Sequence, residues 1–478
     1  MMQITKEKEY AIEYIEKNKD RFIEISDKIW EYAELGLIEY KSSKLLAEEL
    51  EKHGFKVRIG VAGMPTAFIG EWGFGKPVIG VMGEYDALPG LSQKKVPWKE
   101  PLIEGAPGHG CGHNIHGVSG LAAAIAVRYA MEKYGIKGTI RFYGCPAEEN
   151  FSGKVFMVRD GYFDDVDTAI SHHPSTMNGV SLKSSLAINS AKFHFFGRAS
   201  HAGGSPEFGR SALDAVELMN VGVNYLREHV VQDARIHYII ERGGGQPNIV
   251  PDYARSWYYV RAPEREQVEE IYNWILDIAR GAALMTQTQH RVEFITGCYN
   301  MIQNKTLALT CLKVMREIGA PKFDDKDYEF AKKIHETIPI EQKRNMLQRM
   351  KIPNWEKLMD VVLDEEVRDP WDEGEVSHGS TDVGDVSWHT PTLSFGTTCF
   401  VLGSPGHSWQ NVATSGVGIG HKGCIYAAKI IALTSIEIIS NQKLIEEAWK
   451  EFKEKTKGRE YKSPIPPEIK EPPRLFMK

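Results

Sequence analysis

Basic blocks are missing from this chain. Its 478 residues carry 58 Lys and Arg against 64 Asp and Glu, a formal net charge of −6. With no concentrated positive stretch to neutralise phosphates, nucleic acid is not the expected partner. Long apolar runs are missing too. The most apolar helix-like stretch, residues 120–131, is interrupted by Arg128 and is too short to span a bilayer, so no membrane association is expected. The first twenty residues, MMQITKEKEYAIEYIEKNKD, are charged where a secretory leader would be apolar. A cytoplasmic protein is therefore expected. Six cysteines in so long a chain do not make a disulfide scaffold. No internal repeat is present.

What remains is an ordinary globular balance, 42% hydrophobic and 26% charged, over a length that favours two or more domains. Apolar residues recur at helical spacing from Lys6 to Tyr32, as one long helix or a pair. A helix over 41–53 is stopped by Gly54. Short β-type runs follow at 56–59, 66–71 and 77–82. Then come a helix over 119–134 and strands at 138–143 and 167–171. Alternating strands and helices predict an α/β sheet with helices on both faces.

From about residue 187 the rhythm changes to strand, helix, strand, strand, helix, strand, a βαββαβ unit of ferredoxin-like type. The expected organisation is a discontinuous catalytic domain, residues 1–186 and 298–478, with a mixed sheet flanked by helices. Into it is inserted a ferredoxin-like lid or dimerisation domain, residues 187–297. The α/β pattern resumes with a helix over 304–318. Residues 323–375 are charge-rich and helical in period, an insertion over the surface or a lid. A strand at 392–395 and a last helix over 423–439 precede a proline-rich tail, expected to run extended along the surface.

The chemistry concentrates in residues 108–114, Gly-His-Gly-Cys-Gly-His-Asn. Cys111 and His113 stand two apart, and in an extended or turning backbone such residues face the same way. Flanking glycines allow close approach and unusual dihedrals. Thiolate and imidazole together suit a borderline-soft divalent cation such as zinc. A second stretch, Cys145-Pro146-Ala147-Glu148-Glu149, sets two carboxylates at the end of an apolar strand. His173 follows the next strand, and His407 lies in the turn-rich loop Gly403-Ser404-Pro405-Gly406-His407-Ser408-Trp409. Past the carboxyl ends of strands is where open α/β sheets place their sites.

Bland readings compete. With 16 histidines several must be bystanders, and His194, His237, His290 and His335 are read so. Cys145, Cys298, Cys311, Cys399 and Cys424 are read as small core hydrophobes. For 109–116, three histidines and a cysteine among glycines are poor core material, and a metal is the better reading.

These motifs, with Gly83-Glu84-Tyr85-Asp86-Ala87-Leu88-Pro89, Ser200-His201-Ala202, Pro247-Asn248-Ile249-Val250-Pro251-Asp252 and Pro405-Gly406-His407-Ser408-Trp409, occur in one order. In that order the chain resembles the aminoacylase/carboxypeptidase family of metal-dependent amidohydrolases over nearly its whole length. Within it, the chain looks closest to the group formed by the B-type subunits of aminobenzoyl-glutamate hydrolase. The resemblance implies a two-metal site with ligands Cys111, His113, Glu149, His173 and His407, holding zinc or manganese, with cobalt or nickel as further candidates.

It also implies Glu148 as general base, Asp86 as the carboxylate orienting a metal-binding imidazole, and His201 as a lid histidine polarising the scissile carbonyl. Asn248 and Arg261 are implied as substrate contacts. His172 is the rival of His173, which is preferred because it precedes Pro174, and His421 is the rival of His407. Where Glu84 and Asn114 stand, many members carry His and Asp.

The implied reaction is hydrolysis of an N-acyl amino acid, p-aminobenzoyl-glutamate foremost. A dipeptidase or general aminoacylase is the alternative, and a non-catalytic metal-binding scaffold the reading from another class. A homodimer through the lid domain, or a related partner subunit, is the expected assembly.

Overall fold

The computed structural model describes residues 4–473. The first helix, α1 (Lys6–Tyr32), is continuous. Ala11, Ile15, Phe22, Ile25 and Ile29 form its buried stripe, and Ala33 ends it in a left-handed conformation. The helix α2 (Tyr40–Lys52) follows, then β1 (Lys56–Ile59), β2 (Phe68–Phe74) and β3 (Val78–Glu84). Every residue of β3 is buried, which fits a central strand covered on both faces.

The next helix, α3 (His113–Tyr134), is buried on almost every side and packs on α1 and β3. It starts six residues before the expected position, so His113 is its first residue. The strand β4 (Gly138–Cys145), the short helix α4 (Gly153–Arg159) and β5 (Thr168–Ser175) complete the chain's first half with β6 (Asn178–Val180). The expected end of β5 at Ser171 is corrected: the strand continues through His172 and His173.

The changed rhythm is a separate sheet. Strand β7 (Ala187–Phe196), α5 (Ala212–Leu226), β8 (Arg235–Arg242), β9 (Tyr253–Ala262), α6 (Arg265–Thr286) and β10 (Gln289–Cys298) give the order βαββαβ. The strands pair antiparallel in the order β10-β7-β9-β8. Phe193, Phe195, Val216, Met219, Tyr258 and Ile275 fill the space between this sheet and its two helices. Side chains alternate buried and half-buried along β9, the period-two pattern of a sheet with one apolar face.

The chain then returns with α7 (Lys305–Ile318), α8 (Asp325–Glu336), α9 (Ile340–Arg349), the two-residue β11 (Val367–Arg368), α10 (Val383–Ser387) and β12 (Thr392–Thr398). It closes with α11 (Trp409–Ser415), α12 (Gly418–Ile439) and α13 (Gln442–Thr456). The helix α13 corrects the expectation that the preceding helix is the last.

The large sheet has eight strands in the order β1-β2-β4-β3-β5-β12-β6-β11. Strands β4, β3, β5 and β12 run parallel, while β2 and β6 join antiparallel, so the sheet is mixed. One face is covered by α1, α3 and α12, with Phe22, Leu121, Ile125, Phe142 and Ile431 in one apolar cluster. The other face packs Tyr143, Phe156, Phe163 and Val166 beneath α4. Each such wholly buried large apolar side chain contributes about 1.5–3 kcal/mol.

The 323–375 segment has apolar cores of its own. Ala331 and Ile334 pack with Val401 and Ile419, and Leu347 packs with Leu402. It therefore buttresses the loop that carries His407. Among the described residues no single helix is long and apolar enough to cross a membrane.

Candidate metal centre

The carboxyl ends of β3, β4, β5 and β12 open onto a cleft of about 670 Å³, within the usual range for small-molecule sites. Its floor is built from four chain segments. The first is the turn at Cys111–His113. Gly112 has φ +75°, and a Cβ there would stand 2.9 Å from Phe400 Cζ and 3.0 Å from Pro174 Cβ. Only glycine fits, and the turn brings the thiol and the first residue of α3 to one point.

His113 is aimed by Asp86. Its Nδ1 lies 2.8 Å from Asp86 Oδ1, and the other carboxylate oxygen accepts the backbone N–H of Glu149 at 3.0 Å. A carboxylate opposite Nδ1 fixes the proton there and leaves the Nε2 lone pair facing the carboxylates of Glu84 and Glu149. His173 is set the same way. Its Nδ1 donates to the Pro174 carbonyl at 2.8 Å, so its Nε2 is a free acceptor, 3.3 Å from Cys111 Sγ. His407 Nε2 stands 3.5 Å from Glu149 Oε2.

Strand alternation separates the two adjacent histidines. His172 points into the core, with Nε2 2.8 Å from Thr397 Oγ1 and Nδ1 3.2 Å from Ser119 Oγ. His173 lines the cleft. His421 does not line the cleft; its ring lies 3.0 Å from Asp27.

Three sets of ligand atoms converge within 4.8 Å of one another: Cys111, His113 and His173; Cys111, Glu149 and His407; and Glu84, His113 and Glu148. Cys111 is shared by the first two sets. The donors are nitrogen, sulfur and oxygen, a mixture suited to zinc-like ions. Glu149 Oε1 is buried with no hydrogen-bond partner among the described residues, and the buried His113 Nε2 and Glu84 Oε2, also without a hydrogen bond, face each other at 3.1 Å. Buried polar atoms without partners are costly, and cations at this point would satisfy all three. The residues present therefore fit a two-metal group.

The electrostatics agree. Burial, then the charges of Glu84 and Glu149, push the Glu148 carboxyl well above its ordinary range. Burial raises Glu149 to about 7, with His113 opposing. Burial alone would lower His113, but Asp86, Cys111 and Glu84 outweigh it and hold the imidazole well above its usual value. Positive charge placed here would favour the ionised carboxylates and the neutral imidazole.

Backbone strain gathers at the same place. Ala147 and His407 take φ of +59° and +52°, each costing about 1–2 kcal/mol for a residue with a side chain. The Ala147 N–H is held by Glu39 Oε1 at 2.8 Å.

Of the other residues singled out in the sequence, one reaches the cleft and two do not. Arg261 lines the cleft. His201 and Asn248 do not. They sit in adjoining loops of the second sheet, where Ala202 N–H donates to the Asn248 carbonyl at 2.9 Å. The exposed His201 ring accepts at Nδ1 from the N–H groups of Gly203 and Gly204.

Three charged residues, Glu84 at the floor and Lys154 and Asp382 behind it, are not legible as a unit in the sequence. Lys154 Nζ lies 2.5 Å from Glu84 Oε1 and 2.6 Å from Asp382 Oδ1, all three nearly or wholly buried. Each of two members is conspicuous alone, Glu84 ending an otherwise apolar strand and Lys154 standing in an apolar helix, but neither context names a partner.

Residues 80–415 match the family model described as peptidase family M20/M25/M40. The B-type subunit of the p-aminobenzoyl-glutamate hydrolase of Escherichia coli (strain K12) is 41% identical, over 95% of this chain and 96% of its own length. The Xaa-Arg dipeptidase of Mus musculus is 29% identical, over 93% of this chain and 92% of its own. Among solved structures, a dinuclear metal binding peptidase of the M20 family from Bacillus subtilis superposes with a TM-score of 0.58. It covers 89% of this chain and 99% of its own at 17% identity, a likeness of fold. Taken with the convergent donors at the strand ends, the match over most of the chain makes this protein a metal-dependent hydrolase that belongs to peptidase family M20/M25/M40.

Proposed function

We propose that this enzyme hydrolyses the amide bond of an N-acyl amino acid, with p-aminobenzoyl-glutamate as the foremost substrate. The observation that carries the reading is the pair of donor sets sharing Cys111 with Glu148 alongside. Cys111, His113, Glu149, His173 and His407 would hold two divalent ions, zinc or manganese first, with cobalt and nickel as further candidates. Such ions polarise an amide carbonyl and lower the proton affinity of water.

Glu148 takes the proton of the attacking water and hands it to the leaving nitrogen. Asp86 keeps the His113 ring in the tautomer that presents Nε2. Arg261, at the cleft wall, grips the substrate's α-carboxylate. His201 donates to the developing oxyanion and Asn248 steadies the substrate. Both stand outside the cleft of a single chain, so they reach substrate when the 187–297 unit closes or when a second copy presents them.

The assembly is proposed as a homodimer through that unit. Leu218, Val221 and Tyr225 on α5 and Ile239 and Ile240 on edge strand β8 are exposed there. A related partner subunit is the competing assembly, because the Escherichia coli relative is named as one of the subunits of its hydrolase.

The test loads the protein in turn with Zn²⁺ and Mn²⁺ and offers p-aminobenzoyl-glutamate and alanyl-arginine. Metal-dependent release of p-aminobenzoate is expected. Release of arginine alone would favour a dipeptidase, and bound metal without turnover on any N-acyl amino acid would favour a scaffold.

A further inference from the structure

The cleft has a second chemistry at the wall away from the metal donors. Outside the donor sets, two charged side chains line it, Lys183 and Arg261, and both are cations. Ser181, Ser184, Ser377 and Ser380 line the same space.

The topology puts these groups together. Gly396 of β12 pairs with His173 of β5 on one side and with Gly179 of β6 on the other. The chain leaves β6 as an extended segment beside residues 375–379. Ser184 N–H donates to the Glu375 carbonyl at 2.8 Å, Ser377 N–H to the Ser184 carbonyl at 2.8 Å, and Leu186 N–H to the Gly379 carbonyl at 2.9 Å. That segment runs into β7, whose Ile188 pairs with Arg261. Lys183 thus belongs to a rigid two-strand wall that starts in register with a donor histidine and ends at Arg261.

Lys183 has no hydrogen-bond partner among the described residues. Its nearest anion, Asp372 Oδ2, is 3.9 Å away, beyond hydrogen-bond reach. Asp372 is already engaged, accepting from Ser181 Oγ and from Leu182 N–H, each at 2.8 Å. The Ser380 hydroxyl oxygen is buried without a partner, as is Arg261 Nε. One wall therefore offers an ammonium that makes no hydrogen bond and has only a long ion pair to Asp372, a guanidinium N–H without a partner and an unused hydroxyl. A carboxylate is the ligand that would satisfy all three kinds of donor. A basic side chain would meet like charge there and no free carboxylate.

We infer that Lys183 and Ser380 form a subsite for a second carboxylate of the substrate, the one on the side chain of the released amino acid. The enzyme's substrates are then N-acyl amino acids with acidic side chains. Arg261 serves the α-carboxylate, and Lys183 sets the preference for glutamate over glutamine or arginine. The assignment rests on the N-acyl amino acid hydrolysis proposed above.

The test measures kcat/KM on p-aminobenzoyl-glutamate and p-aminobenzoyl-glutamine with metal-loaded wild type, Lys183→Met, Lys183→Arg and Ser380→Ala. The wild type is expected to favour the glutamate substrate by about tenfold or more, as a charge-assisted contact allows. Lys183→Met should lower that ratio about tenfold. Lys183→Arg should keep most of it, and Ser380→Ala should lower it a few-fold. A ratio unchanged in both Lys183→Met and Ser380→Ala overturns the subsite while leaving the hydrolase reading intact. A wild type that cleaves neither compound overturns the hydrolase reading first, and the subsite with it.

Discussion

The carboxylate of Asp86 lies 2.8 Å from Nδ1 of His113 and, through its other oxygen, holds the backbone N–H of Glu149 at 3.0 Å. One side chain thus sets two candidate metal ligands from separate segments. Asp86→Asn keeps the shape but removes the charge that fixes the His113 tautomer. Metal affinity should fall about 10–100-fold, the usual cost of losing such a partner. Competition with a chromophoric chelator measures it. Unchanged affinity would mean that the pair is structural only.

Cys111 is common to two donor sets. Cys111→Ser replaces a soft, shared ligand by a hydroxyl that does not ionise readily. The variant is expected to bind less than the full complement of zinc, and to lose more affinity for zinc than for manganese, because the thiolate favours the softer ion. Metal analysis after dialysis reads this directly. Equal retention of both ions would remove Cys111 from the ligand set.

Lys154 sits between Glu84 and Asp382, nearly or wholly out of solvent. Removing one member of such a group strands the others as uncompensated buried charges, which costs about 3–5 kcal/mol. Lys154→Met should therefore lower the urea midpoint sharply. Lys154→Met combined with Asp382→Asn should recover part of the loss, since one stranded charge is gone. A double variant no more stable than the single one would show that the carboxylates do not repel across the gap.

Lys343 gives the fold a pH dependence. Its ammonium donates to the carbonyls of Met359 and Val361 at 2.8 and 2.6 Å and contacts His335 Nε2 at 2.9 Å, beneath the loop that carries His407. Burial lowers its pKa from 10.5 to about 8, with Asp360 opposing. Between these values the unfolded chain keeps a proton that the folded chain has released. The stability contributed at this site therefore rises with pH across that window and is lowest below it. In Lys343→Met that slope disappears. Urea denaturation of both proteins at pH 8 and pH 10 should show their stability difference moving in favour of the wild type at the higher pH. Parallel curves would contradict this.

Much of the architecture was legible because it follows from periodicity. The helical span of α1, though not its continuity, and the βαββαβ order follow from apolar spacing. The start of α3 was not legible, because His113, Asn114 and His116 are polar residues where a buried helix should be apolar. His113 is buried in the site it helps to build, while Asn114 donates to Ser26 Oγ and the Ser415 carbonyl and His116 accepts the Glu84 N–H. The helix α13 was missed because few of its positions are buried, Leu444, Ile445 and Ala448 among them, in a strongly charged segment.

The preference for His173 over His172 rests on its place before Pro174, whereas the physical reason lies in strand length. Had β5 been extended to Ser175, alternation would have sent the two rings to opposite faces. The Glu84, Lys154 and Asp382 group joins residues 70 and 228 positions apart, and no local pattern announces such a pairing. The places of His201 and Asn248 outside the cleft likewise depend on how the second unit stands, which spacing along the chain does not encode.

The proposed enzyme is a two-metal hydrolase in which Glu148 moves the proton. Metal content and p-aminobenzoate release, measured on the same samples of wild type and Glu148→Gln, test it most directly. About two ions per chain are expected in both proteins, with a rate about 10²–10⁴-fold lower in the variant. A fully loaded Glu148→Gln protein that turns over at the wild-type rate would contradict it.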